Sequence, residues 1–259
     1  MDQRFTIGLL LRLAWRASWA CRWSILLIGL PTAVVAVGLY WLTYPQVVKL
    51  VPSNWQWMVV MWQYSVIECV AFVAITFTAL SYMRGQNPRF RDVLRIPWLR
   101  VPIAMVAGLI LQFATFWPDA LLDWSADDSY GYIVDHIILT INVLTLDVAA
   151  FVLLPVLIMG DSSLVSALHR SVRLALQHPW RILAADIGFW GLYFLFTKLL
   201  DQAYLLAGPQ WANLGWSAMV AAWGVVSTVI ACCLTAAAYH LLNAEQVGQP
   251  PEVLVHIFD

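Results

Sequence analysis

Two carboxylates lie within otherwise apolar stretches of this chain, Glu68 in WQYSVIECVAF and Asp147 in LTLDVAAF. Each costs on the order of 3 kcal/mol to insert into a bilayer as an ion, so such groups usually face the interior of a helix bundle and are candidates for function. Helical rise from the predicted cytoplasmic ends of the two stretches, Tyr82 and Leu157, gives depths of about 21 Å for Glu68 and about 15 Å for Asp147. We therefore expect both side chains to lie near mid-membrane.

The chemistry open to this pair is proton or cation binding, or hydrogen bonding between helices. No Lys or Arg is expected at a comparable depth, so the neutral carboxyl is the cheaper form. Tyr64, Ala71, Ala74 and Thr78 recur with Glu68 at helical spacing, and a small, polar stripe of this kind is typical of a helix interface. A structural hydrogen bond across the bundle and an ion-coupled role both remain open.

The elements that must position these residues are membrane-spanning helices. The chain is 62% hydrophobic and 11% charged, whereas soluble domains contain roughly 25% charged residues. Apolar runs of about 17–25 residues are long enough to cross the hydrocarbon core as helices. Six runs qualify, at residues 24–42, 58–82, 101–117, 133–157, 182–199 and 216–242. They predict an all-α integral membrane protein with six transmembrane helices.

The charged residues predict the orientation of these helices. All but two of the 14 Lys and Arg precede the first run, or separate the second from the third and the fourth from the fifth. The connection after the third run is acidic and has no basic residue, with Asp119, Asp123, Asp127 and Asp128. Because basic connections are retained in the cytoplasm, both termini are predicted to be cytoplasmic. The formal net charge of −1 gives no reason to expect nucleic acid as a partner.

The basic segments repeat. Residues 6–26 align with residues 163–183 at an offset of 157, which pairs Arg16 with Arg173 and Trp23 with Trp180, and the middle basic segment matches more loosely. This periodicity predicts three repeated hairpins in a single domain of residues 1–243, with limits near 1–82, 83–158 and 159–243. Residues 244–259 are predicted to be a short cytoplasmic tail.

Each hairpin begins with a lead segment that has the spacing of a basic amphipathic helix. The apolar face of the third lead comprises Leu168, Val172, Leu176 and Trp180, and that of the first comprises Leu10, Leu11 and Leu13. Such a helix lies in the headgroup layer with its arginines near anionic phosphates. The candidate lipid- or partner-binding arginines are Arg12, Arg16, Arg91, Arg95, Arg170, Arg173 and Arg181. Ordinary topological anchoring is the alternative interpretation.

The run LLPVLIMGDSSLVSALHRSVRLALQHPWRIL at residues 153–183 resembles the YciC-like family of uncharacterised inner-membrane proteins. The residues that carry the match are Pro155, Val156, Asp161, Ala167, Ser171, Arg173 and Leu174. A similar lead-and-hairpin pattern occurs in the membrane portion fused to some glycerophosphodiester phosphodiesterases, but no such enzyme domain lies within these 259 residues. The resemblance implies a six-helix protein of the bacterial inner membrane and no established activity.

No haem-ligand pair, phosphate-binding loop, zinc-protease motif or nucleophile elbow accompanies the two carboxylates. Cys232 and Cys233 are interpreted as small packing residues, and Asp186 is expected to reach the headgroup region and Arg181. The sequence therefore predicts a non-enzymatic protein, without cofactor or metal, that associates with anionic lipids or envelope proteins through its leads. The alternatives are a small proton- or cation-coupled transporter centred on Glu68 and Asp147, and an accessory subunit or homo-oligomer.

Overall fold

The computed structural model describes residues 6–51, 53–86, 97–122, 141, 145–160, 163–207 and 214–246. Every regular element among these residues is helical, which confirms the all-α prediction. The helices are α1 (Ile7–Ala20), α2 (Arg22–Leu50), α3 (Ser53–Met83), α4 (Val101–Leu122), α5 (Thr145–Met159), α6 (Leu164–Ala175), α7 (Pro179–Ala207) and α8 (Leu214–Gln246). Trp98–Arg100 forms a short 3₁₀ turn before α4, and a turn at residues 151–152 interrupts α5.

Four helices in the described part of the chain are long and apolar enough to cross a membrane. They span Arg22–Leu50, Val66–Met83, Pro179–Leu200 and Ala222–Glu245, and they overlap the first, second, fifth and sixth apolar runs. The third and fourth runs coincide with two shorter apolar helices, Trp98–Leu111 and Thr145–Met159. These lengths and compositions are compatible with a multi-pass membrane protein.

Local hydroxyl groups determine where the two described lead helices begin. The Thr6 side chain accepts a hydrogen bond from the backbone N–H of Leu9 at 3.3 Å, so α1 starts at Ile7. Ser163 caps α6 in the same way, through the N–H of Ser166 at 3.4 Å. A hydroxyl in this position satisfies one of the backbone donors that the first turn leaves without a partner.

Among the residues whose side chains the structure describes, the core lies in the second half of α3, the end of α5 and the C-terminal half of α8, where α1 and α6 pack beside them. We call this the basic end, because Arg84 lies close to His240 on α8 and Arg170 reaches Asn243. By contrast, α2 and α7 are largely exposed, and in a bilayer exposed apolar surface of this kind faces lipid.

Two contacts near the basic end bring basic segments close to the levels of the carboxylates. The Cys69 Sγ atom lies 3.7 Å from the carbonyl oxygen of Val101, the first residue of α4. Arg100 directly precedes Val101, so a basic residue lies close to the level of Glu68. The Ser171 hydroxyl of α6 donates to the Ala149 carbonyl at 2.8 Å, so α6 lies within one turn of Asp147.

The placement of Glu68 and Asp147 at mid-membrane stays a prediction from the sequence. The proximity of Arg100 and α6 to these two residues was missed because each apolar run was considered separately. Neither the later start of α4 nor the packing of a lead helix along the bundle is visible in a single run of residues.

The end of α8 also differs from the prediction. The helix continues through Gln246, so the first three residues assigned to the tail belong to α8. Their position is supported by contacts between α6 or the following turn and the end of α8, including His178 Nε2 to Glu245 Oε2 at 2.7 Å. Residues 247–259 lie outside the described part of the chain, as do Arg91, Arg95 and residues 123–140.

Candidate functional site

Glu68 lines a small cavity where α2, α3 and α8 meet. The cavity has a volume of ≈ 10 Å³, about the space that one water molecule needs. Its other lining residues are Gly29, Thr32, Ala33, Ala71, Ile75, Val225 and Thr228. Ala71, Ala74 and Thr78 are buried, so this part of the predicted stripe lies at a helix interface, and the Tyr64 side chain lies outside the described part of the chain. Within the described residues no hydrogen bond to the Glu68 carboxyl is found.

The wall of this cavity opposite Glu68 includes the end of a π-helical turn. Residues Ile25–Gly29 of α2 form this turn, and Gly29 lies against the side chain of Ile75. Single π-helical turns often occur at functional positions in helices. The arrangement gives Glu68 contact with one water-sized space and with the α2 backbone, and it does not bring Asp147 into the lining.

Asp147 has different neighbours, which lie on α7. The indole Nε1 of Trp190 donates to Asp147 Oδ2 at 3.2 Å. Asp186, one turn before Trp190 on α7, lies close enough to interact electrostatically with Asp147 and with the Trp190 indole. We call Asp147, Asp186 and Trp190 the carboxyl cluster. It joins two helices that are not neighbours in the sequence.

Asp186 is the most deeply buried member of the carboxyl cluster. Its side chain is 4% exposed, and its Oδ2 atom has no hydrogen-bond partner within the described residues. The expectation that Asp186 reaches the headgroup region is therefore wrong. A signal was present in the sequence, because Asp186 and Trp190 are four residues apart and so share one face of a helix.

Aromatic packing holds Trp190 in place. Its ring lies 5.6 Å from that of Tyr193 in an edge-to-face arrangement. Tyr193 and Phe196 in turn stack against Trp223 of α8, at centroid distances of 5.9 Å and 4.8 Å. Such pairs add about 0.5–1.5 kcal/mol each beyond the area they bury. The aromatic residues thus attach α7 to α8 and orient the indole N–H group that donates to Asp147.

The lead helix α6 has three faces rather than two. Ala167, Ser171, Leu174 and Ala175 are buried against the bundle. An adjacent apolar face is exposed, and it comprises Val165, Leu168 and Leu176 with the half-buried Val172. The third face carries Arg170 and Arg173, both of them exposed. A helix in the plane of a membrane surface that also packs against protein has this arrangement, with one face each for protein, acyl chains and headgroups.

The lead helix α1 also has three faces, in the same register except that the exposed Arg170 corresponds to the buried Leu13. Its buried residues are Leu10, Leu13, Ala14 and Ala17, and its exposed apolar residues are Ile7, Leu11, Trp15 and Trp19. Shifting α6 by 157 positions superimposes Leu168 on Leu11 and Arg173 on Arg16. The predicted apolar face of α1 is corrected here, because Leu10 and Leu13 pack against protein and only Leu11 is left for lipid.

The candidate arginines differ in how they are engaged. Arg170 donates from Nη2 to Asn243 Oδ1 at 2.9 Å, and its guanidinium lies 6.0 Å from the centre of the Tyr239 ring. Arg12 and Arg173 are exposed, and within the described part of the chain neither forms a hydrogen bond or an ion pair. Arg16 and Arg181 are half-buried. Arg12 and Arg173 are therefore the arginines best placed to bind an external anion.

The structure also brings together cysteines that are distant in the sequence. Cys21 Sγ lies 4.0 Å from Cys233 Sγ, and Cys232 Sγ lies 3.8 Å from the Phe72 carbonyl oxygen. All are free thiols and buried. Sequence reasoning missed the position of Cys21 beside Cys233, and no local signal indicated it. The described residues contain no group of three or more His, Cys, Asp or Glu side chains arranged to hold a metal ion.

Comparison of the chain with protein-family models, curated proteins and solved structures finds no match. The resemblance to the YciC-like family therefore stays a prediction from the sequence. Function has to be argued from the lead helices and the carboxylates themselves.

Proposed function

We propose that this protein is a non-enzymatic protein of the bacterial inner membrane that associates with anionic lipids through α1 and α6. The observation that carries this proposal is the three-faced arrangement of both lead helices. On each helix an exposed apolar face adjoins an arginine face, and the remaining face is packed against the bundle. An anionic lipid supplies an acyl chain for the first of these faces and a phosphate for the second.

The proposed topology is six spans in three repeated hairpins, with both termini in the cytoplasm. Two observations support it. The burial pattern recurs between α1 and α6 at the offset of the sequence repeat. Residues from three predicted cytoplasmic segments also meet at one end of the bundle, since Arg84 lies near His240 and Arg170 bonds to Asn243. Helices α4 and α5 belong to the third and fourth spans in this proposal.

Lipid association is tested with the purified full-length protein in a detergent that contains equal amounts of phosphatidylglycerol and phosphatidylcholine. Native mass spectrometry counts the lipids that remain bound. We expect the parent protein to retain phosphatidylglycerol preferentially. The double substitution Arg12→Gln and Arg173→Gln should reduce that preference several-fold, because each guanidinium near an anionic surface contributes about 1 kcal/mol.

The matched control is the double substitution Lys49→Gln and Lys198→Gln, which removes the same charge from the predicted outer side. It should leave the lipid preference unchanged. An equal loss in both double variants would show that the lipid preference depends on net charge alone and would contradict a specific role of the lead helices. An unchanged preference in the arginine variant would contradict the proposal, and a membrane-protein partner that co-purifies only with the parent would assign these faces to protein rather than lipid.

A second candidate function is ion-coupled transport, which the buried carboxylates favour. Sequence reasoning centred it on Glu68 and Asp147, and the structure places Asp186 beside Asp147. The test is a pH-driven flux in vesicles that contain the purified protein. We expect Asp147→Asn to abolish such a flux and the lipid-face substitutions to leave it intact. Absence of flux in the parent protein would remove this candidate.

A further inference from the structure

The carboxyl cluster holds two acidic side chains in a buried environment, where negative charge is unfavourable. Two acidic side chains, Asp147 and Asp186, come from different helices and interact with each other. The Trp190 indole N–H donates a hydrogen bond to Asp147 Oδ2 at 3.2 Å. Asp186 Oδ2 is buried and has no partner among the described residues. An ionised carboxylate oxygen without a donor is far more costly to bury than the oxygen of a neutral acid.

Three titratable groups of the surrounding helices have other neighbours. His178 is bonded to Glu245 at 2.7 Å. His240 lies near Arg84 at the end of α3, and Glu68 lines the cavity between α2, α3 and α8. The electrostatic neighbours of Asp186 are Asp147 and the Trp190 indole. A cation is therefore not supplied to the carboxyl cluster by these side chains.

We propose that the carboxyl cluster binds one exchangeable proton, held on Asp186 Oδ2 while Asp147 stays ionised and accepts from Trp190. The proton converts two adjacent negative charges into one, which relieves their repulsion. It also makes the Asp186 carboxyl neutral, so the remaining ionised carboxylate is Asp147, which has the Trp190 indole as its donor. This site deepens the ion-coupled alternative by naming its ligand and residues, and it exists whether or not the protein transports anything.

A lead helix lies beside the carboxyl cluster. Ser171 of α6 donates a hydrogen bond to the Ala149 carbonyl, so a helix with exposed arginines lies within one turn of Asp147. Glu68 lies in a separate cavity of the same bundle and has different neighbours, so it serves as a control carboxyl group.

The proposal is tested by infrared spectroscopy of the full-length protein in nanodiscs of phosphatidylethanolamine and phosphatidylglycerol. The difference spectrum between the parent protein and Asp186→Asn should contain a protonated-carboxyl band that disappears as the pH rises. Trp190→Phe keeps both acids and removes the donor to the ionised oxygen, so the band should persist to higher pH. A difference spectrum with only ionised-carboxylate bands would overturn the proposal, as would an unshifted band in Trp190→Phe.

Unfolding measured against pH gives an independent readout. A folded state that binds one proton more than the unfolded chain loses stability as the pH rises, by a tenfold change in the unfolding constant per pH unit. Asp186→Asn should diminish this dependence by the contribution of one proton, whereas Glu68→Gln should leave that contribution in place. An undiminished dependence in Asp186→Asn, or stabilisation of the parent by NaCl but not choline chloride that Asp186→Asn abolishes, would overturn the assignment of a proton. If these results are obtained and no transport is measured, the proton site stands and the transport function is excluded.

Discussion

At the scale of single residues, buried hydroxyl groups connect the helices near the basic end. Ser24 Oγ of α2 lies 2.7 Å from Thr78 Oγ1 of α3, and Thr78 Oγ1 also lies 2.7 Å from the Ala74 carbonyl oxygen. A hydroxyl group has one proton. Because Thr78 donates it to its own helix, Ser24 must be the donor between the helices. Both side chains are buried, so this hydrogen bond has no water to replace it.

The first prediction concerns this hydrogen bond. Ser24→Ala should lower the free energy of unfolding by about 0.6–1.7 kcal/mol, the measured range for hydrogen bonds between membrane helices. Thr197→Ala is the control, because the Thr197 hydroxyl donates only to Tyr193 of its own helix at 2.8 Å. Unfolding of each variant in mixed micelles with increasing dodecyl sulfate measures the difference. A loss in Thr197→Ala as large as in Ser24→Ala would contradict the assignment.

At the scale of elements, the lead helices combine two functions that an amphipathic pattern does not separate. Leu10 of α1 is 0% exposed and packs against α3 and α8, whereas Leu11 is 55% exposed. Trp15 and Trp19 are 79% and 74% exposed on the same face as Leu11. Tryptophan is enriched at membrane–water interfaces. The apolar surface of α1 is therefore divided between protein and lipid.

The second prediction uses the adjacent leucines as a matched pair. Leu10→Ala should destabilise the fold by roughly 2–5 kcal/mol, since it leaves a cavity in the core. Leu11→Ala removes the same atoms from an exposed position and should change stability by no more than about 0.5 kcal/mol. Detergent-induced unfolding compares the two variants. Equal losses would show that Leu11 is also packed against protein.

Trp15 provides the complementary test at this scale. Trp15→Ala should leave the stability of the fold within about 0.5 kcal/mol of the parent. It should nevertheless reduce lipid retention in the mass-spectrometric assay, because it removes apolar surface from the proposed acyl-chain face. Loss of stability without loss of lipid would place Trp15 in a protein interface.

At the scale of the whole molecule, the described core lies where the leads meet the spans. The basic end contains α1, α6 and the buried halves of α3 and α8. In the proposed topology this is the cytoplasmic end. It is also the arrangement that the distribution of arginines predicts, because basic segments stay on the side of synthesis.

The proposed orientation can be measured directly. A membrane-impermeant maleimide should label Ser129→Cys from outside intact spheroplasts, since this residue falls in the acidic connection. Ser166→Cys, on the exposed surface of α6, should be labelled only after permeabilisation. The four native thiols are buried, so they should give little background. The reverse labelling pattern would contradict the predicted topology.

By itself, the sequence determined the helical class, the positions of the apolar runs and the basic character of the leads. These follow from hydrophobicity and charge along neighbouring residues, which the chain carries locally. The sequence also indicated that Glu68 faces a helix interface, because small residues share its helical face. The number of spans and their repetition remain predictions.

Only the tertiary structure decided which carboxyls meet. Asp147 lies beside Asp186 because α5 meets α7 at the Trp190 indole. Trp190 in turn packs against Tyr193, which stacks on Trp223 of α8. The same holds for Cys21 beside Cys233 and for the division of Leu10 from Leu11. Heights and rotations of helices are properties of the packed bundle, so no single segment of the sequence encodes them.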